Sequence, residues 1–145
     1  MSTCTFFGHR DCPGEVRERL RWIIVELIEN QGIDTFYMGR QGVFDAMARS
    51  ILRELAEEYP HIRYAVVLER PPAGGGGGPA QDCSDTMLPE GAETVHPRYA
   101  IAWRNGWMLG RSDYVVAYVT RPWGGAARFV EQARRQGKTV INLGE

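Results

Sequence analysis

Apolar residues along this chain fall into two alternating rhythms. Short solid runs occur at Cys4-Thr5-Phe6-Phe7, Asp34-Thr35-Phe36-Tyr37-Met38, Ile62 to Leu68, Tyr114 to Val119 and Thr139 to Leu143. Runs of this length, rich in β-branched and aromatic residues and bounded by polar ones, predict strands buried on both faces. Between them the spacing is helical. Val16, Leu20, Ile23, Ile24, Leu27 and Ile28 form one stripe, and Phe44, Met47, Ala48, Ile51, Leu52, Leu55 and Tyr59 form another. Arg98 to Arg111 reads as a third helix, carrying Tyr99, Trp103 and Trp107, and a fourth carries Phe129, Val130 and Ala133. Pro13 suits the first position of the first helix, with Asp11 or Cys12 near its cap. Gly32 and Gly137 close the first and fourth helices, and Pro60 stops the second.

Strand alternating with helix predicts an α/β fold: a Rossmann-like, doubly wound parallel sheet of about five strands in the order 3-2-1-4-5, with helices on both faces and right-handed crossovers. The rhythm breaks between Glu69 and about Pro97. This stretch holds Pro71-Pro72, the glycines Gly74 to Gly78, and Pro79. A long aperiodic segment in a compact domain is usually a lid, a binding loop or an insert. The glycine run reads as a flexible tip. Asp85 to Gly91 is better furnished, and two readings stay open for it: a flap over a site, or plain surface loop.

Composition adjusts this picture little. At 145 residues the chain is one domain, taken as 1–145 with an insert at about 70–97. A net charge of −1 gives no general reason to bind nucleic acid or an anionic membrane. No apolar run is long enough to span a bilayer, and the first residues lack a basic, signal-like start. Cys4, Cys12 and Cys83 have no paired spacing and read as reduced thiols of a cytoplasmic protein. His9, His61 and His96 form no metal-ligand motif, so neither a metal nor a cofactor is expected. The alternating Arg and Glu residues of the first helix read as a solvated surface.

The candidate chemistry lies in three loops, each leaving a strand and opening a helix: Gly8-His9-Arg10, Gly39-Arg40-Gln41-Gly42, and Thr120 to Gly125. In the predicted order the first and third flank the point where the strand order reverses, the crevice at which open α/β sheets bind ligands, and the second lies next door. Two glycines at a helix start leave backbone N–H groups facing outward at the positive end of the helix, which suits phosphate or carboxylate. Arg10, Arg40, Arg104 and Arg121 are placed to bring guanidinium groups to the same rim. The competing explanation is that the glycines serve chain geometry and the arginines are solvated. Trp103 and Trp107 on a helix of this size suit a core or a subunit interface, whereas Trp123 sits in the site loop itself.

Four stretches carry a resemblance: Phe7-Gly8-His9-Arg10, Met38 to Asp45, Arg104-Asn105 with Met108, and Asp113 to Gly125. Over nearly its whole length the chain resembles the SLOG superfamily, the Rossmann-like group that includes the DprA/Smf DNA-processing proteins and the lonely-guy phosphoribohydrolases. It is most similar to a branch of small stand-alone domains with a Gly-His-Arg opening. The resemblance implies a nucleotide-derived ligand held by Gly8, His9, Arg10, Gly39, Arg40, Gln41, Gly42, Asp45, Arg104, Asn105, Thr120, Trp123, Gly124, Gly125 and Ala126. It also implies a homo-oligomer.

Lonely-guy enzymes carry Pro-Gly-Gly-x-Gly-Thr-x-x-Glu and an arginine on the preceding helix, and hydrolyse the N-glycosidic bond of nucleoside 5′-monophosphates. Here Gly124-Gly125 matches the glycine pair, Glu131 the glutamate and Arg104 the arginine. Trp123, Ala127 and Arg128 replace the proline, the later glycine and the threonine. These departures add bulk and charge near the anion site and remove a hydroxyl, which weakens the case for hydrolysis more than the case for binding. The expectation is a domain that senses or sequesters a nucleotide-derived small molecule. The alternatives are phosphoribohydrolase activity through Glu131 and Arg104, and DprA-like binding of single-stranded DNA. The slightly acidic charge fits the last poorly.

Overall fold

The computed structural model describes residues 2–71 and 85–145. Among these residues six strands form one all-parallel sheet: β1 (Ser2–Gly8), β2 (Ile33–Met38), β3 (Arg63–Val67), β4 (Thr86–Met87), β5 (Tyr114–Tyr118) and β6 (Thr139–Asn142). Their order is β4-β3-β2-β1-β5-β6. The predicted five-strand order is embedded in this, with one correction. Thr86 and Met87, inside the segment expected to lack secondary structure, add a short edge strand beside Val66 and Val67. Leu68 N–H donates to the Met87 carbonyl at 2.8 Å, and the Asp85 carboxylate holds the strand to the neighbouring helix by accepting from Arg49 at 2.6 and 2.8 Å. A two-residue strand is too short to leave a periodic signal. The glycine run Gly74 to Gly78 lies outside the described residues.

Among the described residues four α-helices cover the sheet: α1 (Val16–Asn30), α2 (Val43–Glu58), α3 (Ala100–Gly110) and α4 (Gly125–Arg135). Alternation along β1 sorts the two faces. Phe6 packs with Leu20, Ile24, Phe36, Phe44 and Ile51 on the α1/α2 side. Phe7 packs with Met108, Val115, Phe129 and Val130 on the α3/α4 side. Each fully buried large apolar side chain contributes about 2–3 kcal/mol, so both faces are anchored by packing. Helix α1 begins later than Pro13 predicts. Pro13 and Gly14 instead form the turn that leads into it, with Val16 N–H donating to the Pro13 carbonyl at 3.1 Å. The stretch from Ser2 to Gly8 and the stretch from Tyr114 to Tyr118 run side by side in the middle of the sheet, so the loops leaving them emerge together.

Candidate functional site

Those loops and the one after β2 enclose a cleft of about 470 Å³ at the carboxyl ends of the strands. From the loop after β1 it takes Gly8, His9, Arg10 and Asp11, and from the region after β2 it takes Gly39, Gln41 and Asp45. Helix α3 contributes Ile101, Arg104, Asn105 and Met108, and the loop after β5 contributes Arg121, Gly124, Gly125 and Ala126. The three glycine turns therefore open on one cavity.

Arg104 forms its floor. Only 1% of this residue is exposed. Its Nη1 donates to the Val67 carbonyl at 3.0 Å and to Glu69 at 3.4 Å, and its Nε donates to Asn105 Oδ1 at 2.8 Å. Its Nη2 makes no hydrogen bond among the described residues, and no described buried polar atom is left without a partner. This nitrogen is therefore open to the cleft that Arg104 lines. The guanidinium lies flat against the backbone at Gly39, where an added Cβ would stand 2.8 Å from Cζ and Nη2. The glycine here makes room for a side chain of the protein itself. Gly8 does the same for the ring of Phe44. Both glycines also line the cleft.

Glu69 balances the buried cation and was not singled out in the sequence. It follows the apolar run Val66-Val67-Leu68 and is itself buried. Burial raises its carboxyl, but hydrogen bonds from Arg40 and the nearby charge of Arg104 outweigh this and hold it below the usual carboxylate range. Arg40 grips it with Nη2 at 2.9 Å and Nε at 3.2 Å. Arg40 is thus turned to Glu69 and does not line the cleft, contrary to its expected place on the rim. A charged residue directly after a buried strand was the available signal for Glu69.

Asp45 stands in the first turn of α2. Its Oδ2 accepts the Gln41 N–H at 2.9 Å, and it forms no ion pair among the described residues. Burial pushes its carboxyl above the usual range, against the opposing pull of the Gln41 N–H and the Arg104 charge. Val43 N–H donates to the Arg10 carbonyl at 2.9 Å. The first amide of α2 is therefore taken by the Arg10 carbonyl, and Ala46 N–H closes the first turn on the Gly42 carbonyl.

The start of α4 differs in its first amide, that of Gly125, which has no such acceptor among the described residues. Gly124 sits at φ +100°, a left-handed conformation that suits glycine, with no side-chain cap. Arg128 N–H closes the first turn on the Gly124 carbonyl. The N–H groups of Gly125 and Ala126 have no hydrogen-bond partner among the described residues, and both residues line the cleft. Arg10 and Arg121 stand on the same rim.

His9 ties two loops together. Its Nε2 accepts the Thr120 N–H at 3.0 Å, and its own N–H donates to the Tyr118 carbonyl at 3.1 Å. The imidazole therefore carries its proton on Nδ1. Burial, then the positive charge of Arg121, lowers its pKa from the ordinary histidine value.

Four other expected residues stand outside the cleft lining. Thr120 spends its N–H on His9. Gly42, at φ +130°, packs against Arg10. Trp123 is 66% exposed, with the Arg121 guanidinium 6.0 Å from its ring. Glu131 is exposed on α4 and pairs with Arg135 of the same helix at 2.7 Å. Trp107 is packed between Tyr37 and Arg111, as a structural role requires. Nothing from the Asp85–Gly91 segment lines the cleft.

Among the described residues there is no acidic, histidine or cysteine cluster able to hold a metal, and no helix is long and apolar enough to cross a membrane. Comparison with known proteins gives no match among family models and none among curated sequences.

Proposed function

We propose that this domain binds a phosphate-bearing, nucleotide-derived small molecule in the cleft and acts by sensing or sequestering it. The observation that carries the reading is the start of α4. Gly125 and Ala126 line the cavity and their N–H groups have no partner among the described residues, while Arg10 and Arg121, the latter 3.8 Å from the Asp11 carboxylate, stand on the same rim. Free amides at the positive end of a helix, flanked by guanidinium groups, suit an anion. The resemblance to SLOG domains supports a nucleotide-derived guest.

Binding fits this geometry better than N-glycosidic hydrolysis. Hydrolysis of that bond needs a carboxylate at the ribosyl carbon. Glu131 is exposed and engaged with Arg135, so it offers none from its present place. A single-stranded nucleic acid would need a row of stacking aromatics beside the cations, and none of the exposed rings Trp22, Tyr99 and Trp123 lines the cleft.

The test is to purify the protein from cells without added nucleotide and identify the released compound by mass spectrometry. A phosphorylated nucleoside derivative is expected at a substoichiometric or higher level. A nucleoside monophosphate supplied in excess should bind without release of free base. Release of base, abolished by Glu131→Ala, would replace this reading with the hydrolase one.

A further inference from the structure

The end of the cleft away from α4 is chemically unlike the anion end. Asp45 Oδ2 holds the Gln41 N–H, while its Oδ1 makes no hydrogen bond among the described residues. No described buried polar atom lacks a partner, so Oδ1 is accessible from the cleft that Asp45 lines. Arg104 Nη2 is open to the same cavity, on a side chain that is 99% buried. This end therefore offers one strong acceptor and one strong donor, both held by the fold.

Three kinds of group could meet that pair. A second phosphate would face the Asp45 carboxylate across a poorly solvated space and be repelled. An ammonium would satisfy Asp45 but face the Arg104 guanidinium. A hydroxyl pair does neither harm: each hydroxyl both donates and accepts, and carries no charge. The lining also includes Phe7, Ile101 and Met108, apolar side chains that suit the carbon faces of a sugar ring. The loops after β2 and β5 flank β1, so they are separated by two inter-strand steps, about 10 Å in all. That is the scale of one phosphorylated sugar.

Resting on the phosphate reading above, we propose that the guest is a sugar monophosphate moiety. Its single phosphate sits at the start of α4, and its free vicinal hydroxyls bridge Asp45 and Arg104. Asp45 is then a specificity residue: it selects the diol and rejects a guest phosphorylated at that position.

Calorimetric titration of the whole chain tests this, with inorganic phosphate, ribose 5-phosphate, 2-deoxyribose 5-phosphate, adenosine 5′-phosphate and adenosine 3′,5′-bisphosphate as probes. For the wild type, ribose 5-phosphate should bind about tenfold more tightly than the 2-deoxy compound, as expected for a lost hydrogen bond to a charged group. Adenosine 5′-phosphate should bind more tightly than the 3′,5′-bisphosphate. In Asp45→Asn both ratios, read within that one protein, should collapse toward one. Equal ratios in the two proteins, or a wild type that prefers the bisphosphate, would overturn the diol assignment while leaving the phosphate site standing. Failure of every phosphate compound to bind would overturn both. Asparagine keeps an acceptor for the Gln41 N–H. Should this variant nevertheless fail to fold, the wild-type ratios alone decide.

Discussion

The imidazole of His9 accepts the backbone N–H of Thr120 across 3.0 Å, joining the loop after β1 to the loop after β5. The acceptor is Nε2, so the bond exists only while the ring is neutral. In the folded protein the ring resists protonation, whereas in the unfolded chain it titrates near the ordinary value of about 6.5. As pH falls through the window between that value and the lower folded one, the unfolded state takes up the proton first. Stability contributed by neutral His9 is therefore full above about 6.5 and declines below it. Melting curves recorded from pH 8 down to pH 5 should show this decline in the wild type and lose that component in His9→Gln.

Asp45 has the opposite sign. Its folded pKa lies above the unfolded one, so the native state binds the proton more tightly and burying this carboxyl weighs against folding as pH rises above the unfolded value. Asp45→Asn should stabilise the unliganded protein by roughly 1 kcal/mol, about 4 °C in Tm for a chain of this size. Thermal unfolding at pH 7 checks this, and a lower Tm in the variant would contradict it.

A methyl group at position 39 would meet the Arg104 guanidinium at 2.8 Å. That guanidinium is fixed by Val67, Glu69 and Asn105 and has little freedom to withdraw. Gly39→Ala should cost about 1–3 kcal/mol. A denaturant titration would register it as a lower midpoint with an unchanged slope.

Position 125 behaves differently. An added Cβ there meets nothing within 4 Å, and an acidic residue in the first turn of a helix is mildly favourable, by about 0.3–1 kcal/mol. Gly125→Asp should fold with equal or greater stability and yet lose affinity for phosphate compounds, because it puts a negative charge at the free amides. Stability and affinity measured on the same preparation separate the two effects.

Glu131→Ala removes only an exposed pair one helical turn apart. The cost should be no more than about 0.5 kcal/mol, and binding of a nucleoside monophosphate, followed by titration, should match the wild type.

Much of the architecture was legible in residue order. The solid run Tyr114 to Val119 and the stripes on α1 and α2 identify their elements because burial on both faces, or on one helical side, dictates composition directly. The convergence of Gly8, Gly39 and Gly125 follows from the strand order alone. What each glycine accommodates was not legible. Phe44 and Arg104 reach Gly8 and Gly39 from elsewhere in the fold, and sequence spacing carries no record of that approach. Arg40 was misplaced for the same reason: its partner Glu69 lies 29 residues away, and pairing at that range is decided by the relative placement of β2 and β3. Asp45 was included through a motif resemblance, while its distinctive property, a carboxylate with an open oxygen beside a buried cation, emerges only in three dimensions.

The depth of Arg104 bears on how ionic strength should act on this cleft. Dissolved ions screen charges that stand in water and have little access to one walled in by protein. Arg10 and Arg121 sit at the mouth, Arg104 beneath them. Added salt should therefore weaken the capture of an anion at the mouth while leaving the grip of the floor nearly intact, so that encounter slows more than release quickens.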